Sequence, residues 1–257
     1  MYPNKKQSII LVAFLFAIEF IVSLYLAWAG VSWSNGNPVI DLFVNILSCL
    51  LILVFALPKM GLKARELFHA NFNNLGMLLR RSIVPILLLM ATLQVILSYL
   101  NSLLSGLLPE GNYISQHIAI LLKAGPLGFL YMCVVGPVIE EVIFRGVILR
   151  GLLANYKSGD ALVTSAVLFS LVHLNPSQLF HTLIVGLVLG WIYMGSYSLW
   201  PSIVAHMSFN MMAYAEVNSA LSFHSFYTFP ILLIMGVLAA MSLFLLKYIF
   251  VYSMRSP

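Results

Sequence analysis

Charge is what this sequence has least of. Only 8% of its 257 residues are Asp, Glu, Lys or Arg, while 61% are apolar and the mean hydropathy is +1.00. So few charges cannot cover the surface of a water-soluble globule, which excludes an ordinary soluble enzyme. Cysteine is almost missing as well. Cys49 and Cys133 both fall in apolar stretches, where a buried free thiol is the expected state, and two such residues make neither a disulfide scaffold nor a cysteine metal cluster. Internal repeats, low-complexity tracts and soluble domains are not visible, so residues 1–257 read as a single membrane-embedded domain.

What the sequence has in quantity is long apolar runs. A bilayer's hydrocarbon core needs about 20 apolar residues per helix, and runs of roughly that kind recur at Ser8 to Ala29, Val39 to Leu57, Ser82 to Leu104, Pro126 to Leu149, Ala161 to Leu174, Gln178 to Tyr197, Pro201 to Tyr214 and Pro230 to Phe250. The expected fold is therefore all-α, a polytopic membrane protein of about eight transmembrane helices. The first run follows Lys5 and Lys6 and ends on Ala27-Trp28-Ala29, the form of a signal cleavage site. Its length and the Glu19 at its middle predict a retained, packed helix instead.

The basic residues set the expected orientation. Lys5, Lys6, Lys59, Lys63, Arg65, Arg80, Arg81, Arg150, Lys157, Lys247 and Arg255 all fall on one side of an eight-span chain, and Lys123 alone falls in a loop on the other. The positive-inside rule then puts both termini in the cytoplasm, as expected of a multi-pass protein of a bacterial plasma membrane. It also accounts for the net charge of +5 without a nucleic-acid partner. Leu62 to Arg81 carries Phe68, Phe72, Leu75 and Leu79 at helical spacing among basic and amide residues, which predicts an amphipathic helix in the cytoplasmic interface.

Function must then reside in polar residues inside the spans. In "GPVIEEVIFRGVIL" (136–149) Glu141 and Arg145 are four apart on one helical face and can neutralise each other, whereas Glu140 points about 100° away. In the fifth span Phe169 and His173 are four apart; in the seventh, His206 and Asn210. A lone intramembrane histidine is commonly a hydrogen-bonding tie between helices. A whole set is less easily explained so, because each charged residue costs about 2.5–3.5 kcal/mol to insert. Glu140 and His173 each lie about 13 residues, roughly 20 Å, from the cytoplasmic ends of their helices. His206 is only about six residues into its run, roughly 9 Å deep, so either that helix begins earlier or its connection dips into the membrane. His69, His117, His181 and His224 sit near interfaces or loops and are not expected to be catalytic.

These residues resemble a known pattern. Glu140-Glu141-x-x-x-Arg145, Phe169-x-x-x-His173 and His206-x-x-x-Asn210, in that order on successive helices, closely resemble the three motifs of the CPBP family, the type II CAAX prenyl proteases and bacteriocin-processing Abi proteins. Gln178, Gly186, Gly190, Tyr193 and Ser198-Leu199-Trp200-Pro201 look like the same pattern, and the resemblance covers residues 125–213, the expected catalytic core. It implies an intramembrane endopeptidase acting on a lipidated or hydrophobic peptide or membrane-protein segment. Glu140 would activate water and His173 orient it. His206 and Asn210 would stabilise the oxyanion, with Glu141, Arg145 and Phe169 in support, though Glu141 is also placed to share in the chemistry. Burial raises a carboxylate's pKa toward a useful range for a base.

Metal use stays open at this level. Glu140, Glu141, His173 and His206 offer the donor types of a catalytic zinc, but no His-Glu-x-x-His helix is present, which favours metal-free hydrolysis. A family member can also serve without turnover, as an immunity factor or a regulator bound to another membrane protein. A transporter or proton relay is a third class, but the repeat symmetry or paired broken helices it calls for are not seen.

Overall fold

A computed structural model describes residues 1–30, 37–68, 75–104, 112–218 and 228–253, and among them the chain is helical with no strand. The helices are α1 (Lys5–Trp28), α2 (Pro38–Met60), α3 (Ala64–Phe68), α4 (Leu75–Leu104), α5 (Asn112–Lys123), α6 (Pro126–Leu153), α7 (Ser158–Leu171), α8 (Pro176–Ser196), α9 (Leu199–Asn218) and α10 (Phe229–Ser253). Eight of them match the eight expected spans. By length and composition six are long and apolar enough to cross a membrane: α1, α2, α4, α6, α8 and α10. α7, at 14 residues, is shorter, and α9 is diluted by Ser202, His206, Ser208, Asn210 and Glu216. The protein is an all-α, polytopic integral membrane protein.

Local chemistry sets the boundaries. Asn4 caps α1 by accepting from the Gln7 amide while the Gln7 side chain accepts from the Asn4 amide, a reciprocal arrangement that satisfies two helix-end donors. Asn37 caps α2 ahead of Pro38, and Gly61, at φ 67°, ends it in the left-handed conformation glycine tolerates.

The interfacial helix expected over Leu62 to Arg81 is not one element. α3 takes only Ala64–Phe68, and Leu75 to Arg81 form the first turns of α4; Phe72 lies outside the described residues. Leu75, Leu78 and Ser82 continue the α4 stripe without a break, and a helix already nucleated extends by one bond per residue. α5 is a helix that the apolar runs did not announce.

α6 lies at the centre. Its residues Val142 to Leu149 are all buried, packed with side chains of α1, α2, α7 and α9 in one core cluster. A second cluster joins α4, α8, α9 and α10. α6 is not a regular α-helix: Tyr131–Val135 and Val142–Leu149 are π-helical, flanking an α-helical turn Gly136–Glu141. The wider π turn disturbs the carbonyl ladder, and the Phe144 carbonyl accepts from the Ser165 hydroxyl of α7 at 3.2 Å.

The shallow placement of His206 is resolved by where α9 begins. Leu199, its first residue, packs against Gly146 in the middle of α6, well short of the α6 end. Beneath it lies α3: the Ser198 hydroxyl donates to the Phe68 carbonyl at 3.3 Å, and Arg150 donates to the Glu66 carbonyl at 2.6 Å. The turn between α8 and α9 is two residues long, with Tyr197 at φ 49° and Ser196 and Ser198 hydrogen-bonded to each other. The connection therefore sits inside the fold, as one of the two sequence expectations had it.

Candidate active site

α6, α7 and α9 bring the three motifs together. Arg145 donates from Nη1 to Oε1 of Glu141 at 2.7 Å, one turn away on α6, and from Nη2 to the Gly186 carbonyl of α8 at 3.0 Å. Both Glu141 and Arg145 are buried, at 0% and 1% exposure, so neither charge is hydrated and each depends on the other. Gly186 permits the approach, since a Cβ there would meet the Phe169 ring at 3.1 Å and Ala166 at 3.3 Å.

The same Glu141 oxygen also receives Nδ1 of His206 from α9, at 2.9 Å. Because a carboxylate only accepts, Nδ1 carries the proton and the His206 ring is fixed with Nε2 pointing the other way. Nε2 lies 3.8 Å from Oε2 of Glu140. That oxygen has no hydrogen-bond partner among the described residues, and neither does Oε2 of Glu141.

Phe169 is the hub of the cluster. Its ring meets the Arg145 guanidinium at 4.5 Å, a cation–π contact. It packs edge-on to Phe144, His173 and His206 with centroids 5.2, 5.0 and 5.7 Å away. Its carbonyl accepts from Nδ1 of His173 at 2.8 Å, which leaves Nε2 of a neutral His173 as an acceptor. Asn210, one turn beyond His206, donates to the Met132 carbonyl at 2.9 Å and is tied again by the Cys133 thiol to its own carbonyl.

Two cavities meet at Glu140. The larger, about 320 Å³, is lined by Glu140, His173, His206 and Asn210 together with apolar groups such as Met132 and Phe209. The smaller, about 120 Å³, lies against α1 and α2 and is lined by Glu140, His173, Glu19 and Asn45 among apolar neighbours. All seven residues singled out in the motifs are thus gathered: four line the larger cavity, Phe169 forms part of its wall, and Glu141 and Arg145 lie buried behind it.

His181, which its position near a loop seemed to disqualify, also lines the larger cavity with Gln178 and Thr182, its ring edge-on to Phe209 at 5.3 Å. The signal was present: Gln178, His181, Thr182 and Val185 occupy one face of α8 at i, i+3, i+4 and i+7. His69 and His224, and the His117 side chain, lie outside the described residues.

The donor set does not fit a metal as arranged. Among the described residues no three His, Cys, Asp or Glu side chains are grouped to hold an ion. Glu141 has one oxygen shared between Arg145 and His206, and Nδ1 of each histidine is committed to a hydrogen bond. No step through a metal is derived from this geometry.

A bundle of apolar helices enclosing a carboxylate–histidine cluster around a cavity defines a membrane protein with an internal hydrolase-type site. Residues 123–212 match the family described as type II CAAX prenyl endopeptidase Rce1-like. The resemblance to the CPBP family read from the three motifs is borne out on this segment. YdiL of Bacillus subtilis (strain 168), named as a proposed membrane peptidase, is 30% identical over 96 residues, 37% of this chain and 39% of that relative. The match thus spans about two fifths of the relative's length. No solved structure matches.

Proposed function

We propose that the protein is an intramembrane endopeptidase in which Glu140 activates water against a peptide bond held in the larger cavity. The observation that carries this reading is the setting of Glu140. Its Oε2 is buried without a hydrogen-bond partner among the described residues, between His173 and His206, at the wall shared by both cavities. A carboxylate in so poorly solvated a place is a stronger base than one in water.

The steps follow from the side-chain geometry. Glu140 takes a proton from water while Nε2 of His173 accepts the other O–H and aims the oxygen at the carbonyl carbon. As the C–O bond forms, charge gathers on the carbonyl oxygen. His206, held protonated by Glu141, donates from Nε2 to that oxygen, and the Asn210 amide supplies a second donor. The C–N bond then breaks as Glu140 returns its proton to the leaving amine. Glu141 and Arg145 stay charged throughout and keep His206 in one orientation.

The substrate is a hydrophobic or lipidated peptide, or a segment of a membrane protein. The enzyme works among membrane lipids, with both termini on the cytoplasmic side of a bacterial plasma membrane. Purified protein in detergent should cleave members of a fluorogenic panel of prenylated and unprenylated peptides, and Glu140→Gln and His173→Ala should each abolish cleavage while remaining folded. Cleavage that survives Glu140→Gln overturns the assignment. A cellular phenotype that survives it would mark a scaffold, an immunity factor or a regulator of a membrane-protein partner.

A further inference from the structure

The larger cavity has a direction. Its floor is Glu140, His173 and His206, and from there its lining runs toward one end of the bundle only: along α9 from Asn210 through Tyr214 to Val217, along α8 back to Gln178 near its start, and across to Ile118 and Leu122 of α5. Val217, at the rim, is 65% exposed. α5 is itself part of the connection between α4 and α6, so the mouth lies at the end of the bundle where that connection runs.

The opposite end is where the basic residues gather. The amino group of Met1 donates to Asn155 at 3.0 Å and the Lys5 amide to the Tyr156 hydroxyl at 3.2 Å, which sets Lys5, Lys6, Arg150 and Lys157 side by side. Arg150 is bonded to α3, whose Arg65 and the nearby Lys59 and Lys63 join the group, with Arg80 and Arg81 in the first turns of α4. Lys247 belongs to the same end, because Phe250 of α10 packs against Trp191 and Gly195 at the close of α8. α3 and the Ser196–Ser198 turn cover this end beneath the site, so the floor of the cavity is separated from the basic face by packed chain.

Resting on the endopeptidase reading above, we infer that the active site opens to the extracytoplasmic side and that its substrate presents the scissile bond there. Retention of Lys and Arg in the cytoplasm fixes the basic end inside, and the mouth is at the other end. No Lys or Arg is among the described residues that line the cavity, so a chain-terminal carboxylate finds no cationic partner in it, whereas an internal bond of an apolar stretch does not need one. The cavity is at the small end of the range for ligand sites, about 300–1,000 Å³, which suits a short length of extended chain. The substrate class is a secreted hydrophobic peptide, or the outer juxtamembrane segment of a membrane protein, and not a lipidated tail offered from the cytosol.

Labelling with a membrane-impermeant sulfonated maleimide tests the orientation without reference to turnover. Cys49 and Cys133 are buried, so the wild-type protein is the blank. In intact cells Val217→Cys should label and Lys157→Cys should not, with the pattern reversed in inverted membrane vesicles. Val217→Cys labelled only in inverted vesicles overturns the inference, as does a Val217→Cys thiol that reacts on neither face but reacts once the protein is denatured. A second arm adds an impermeant quenched peptide with an apolar centre to sealed vesicles of each orientation, where cleavage should occur in right-side-out vesicles and be lost in Glu140→Gln. Cleavage confined to inverted vesicles overturns the inference while sparing the protease reading. Labelling as expected with no Glu140-dependent cleavage in detergent or on either face instead overturns the protease reading alone.

Discussion

Nδ1 of His206 and Oε1 of Glu141 lie 2.9 Å apart, joining the first and third motifs of the sequence through a single buried hydrogen bond. The same oxygen holds Arg145 at 2.7 Å, so Glu141 serves both a structural cation and the histidine that faces the cavity. Glu141→Gln weakens both bonds at once. Its activity should fall by roughly 100-fold, the scale of losing one oriented donor, and its thermal stability should fall too. Replacing His206 by Ala in the Glu141→Gln background should then cost little further activity. If the two losses multiply instead, His206 does not act through Glu141.

Glu140→Gln and Arg145→Ala separate chemistry from support. Glu140 is partly exposed to the cavities and makes no hydrogen bond through Oε2 to any described residue, so its amide variant should unfold at the wild-type temperature while losing turnover. Arg145→Ala strands a buried carboxylate, a change that costs about 3–5 kcal/mol. Thermal unfolding in detergent should show a clear loss for Arg145→Ala alone; equal losses would contradict the division of roles.

The Glu141–Arg145 pair was legible in the sequence because four residues on a helix share a face. The His206 bond was not, since it depends on which helices lie side by side and at what height. Counting residues from loop to histidine placed His206 too shallow, because a helix that starts in the middle of its neighbour leaves no mark in composition. The π-helical turns of α6 were equally hidden: Val142 to Leu149 reads as an ordinary apolar stretch, and the wider turn follows from packing on all sides. The amphipathic pattern over Leu62 to Arg81 was real, but α4 absorbed its second half.

Two glycines of α8 should respond differently to the same change. A Cβ at Gly186 would press on the Phe169 ring and on the Ala166 backbone, neither free to move, so Gly186→Ala should cost about 1–3 kcal/mol and displace the ring that contacts both histidines. At Gly190 the nearest atom is Cδ1 of Leu162, 2.5 Å away, the far end of a side chain that can change rotamer. Gly190→Ala should therefore retain most activity. Assay and unfolding of both variants check the contrast.

Chelation should leave turnover unchanged. The described carboxylates and imidazoles form no three-donor group, and hydrolysis through Glu140 needs none. Incubating the purified enzyme with a strong chelator, then dialysing and assaying it, tests this directly; activity lost on chelation and restored by zinc would replace the metal-free scheme.

The two-residue turn at Tyr197 and Ser198 makes α9 a sliding scale set against α6. One residue more or less in that turn would lift α9 by 1.5 Å and rotate it by about 100°, carrying the His206 imidazole away from Glu141 as a vernier moves off its mark. The alignment of the site is thus stored in the shortest connection of the core, at a place where no catalytic group stands. A single-residue insertion there would silence the protein while leaving every functional side chain in its sequence intact.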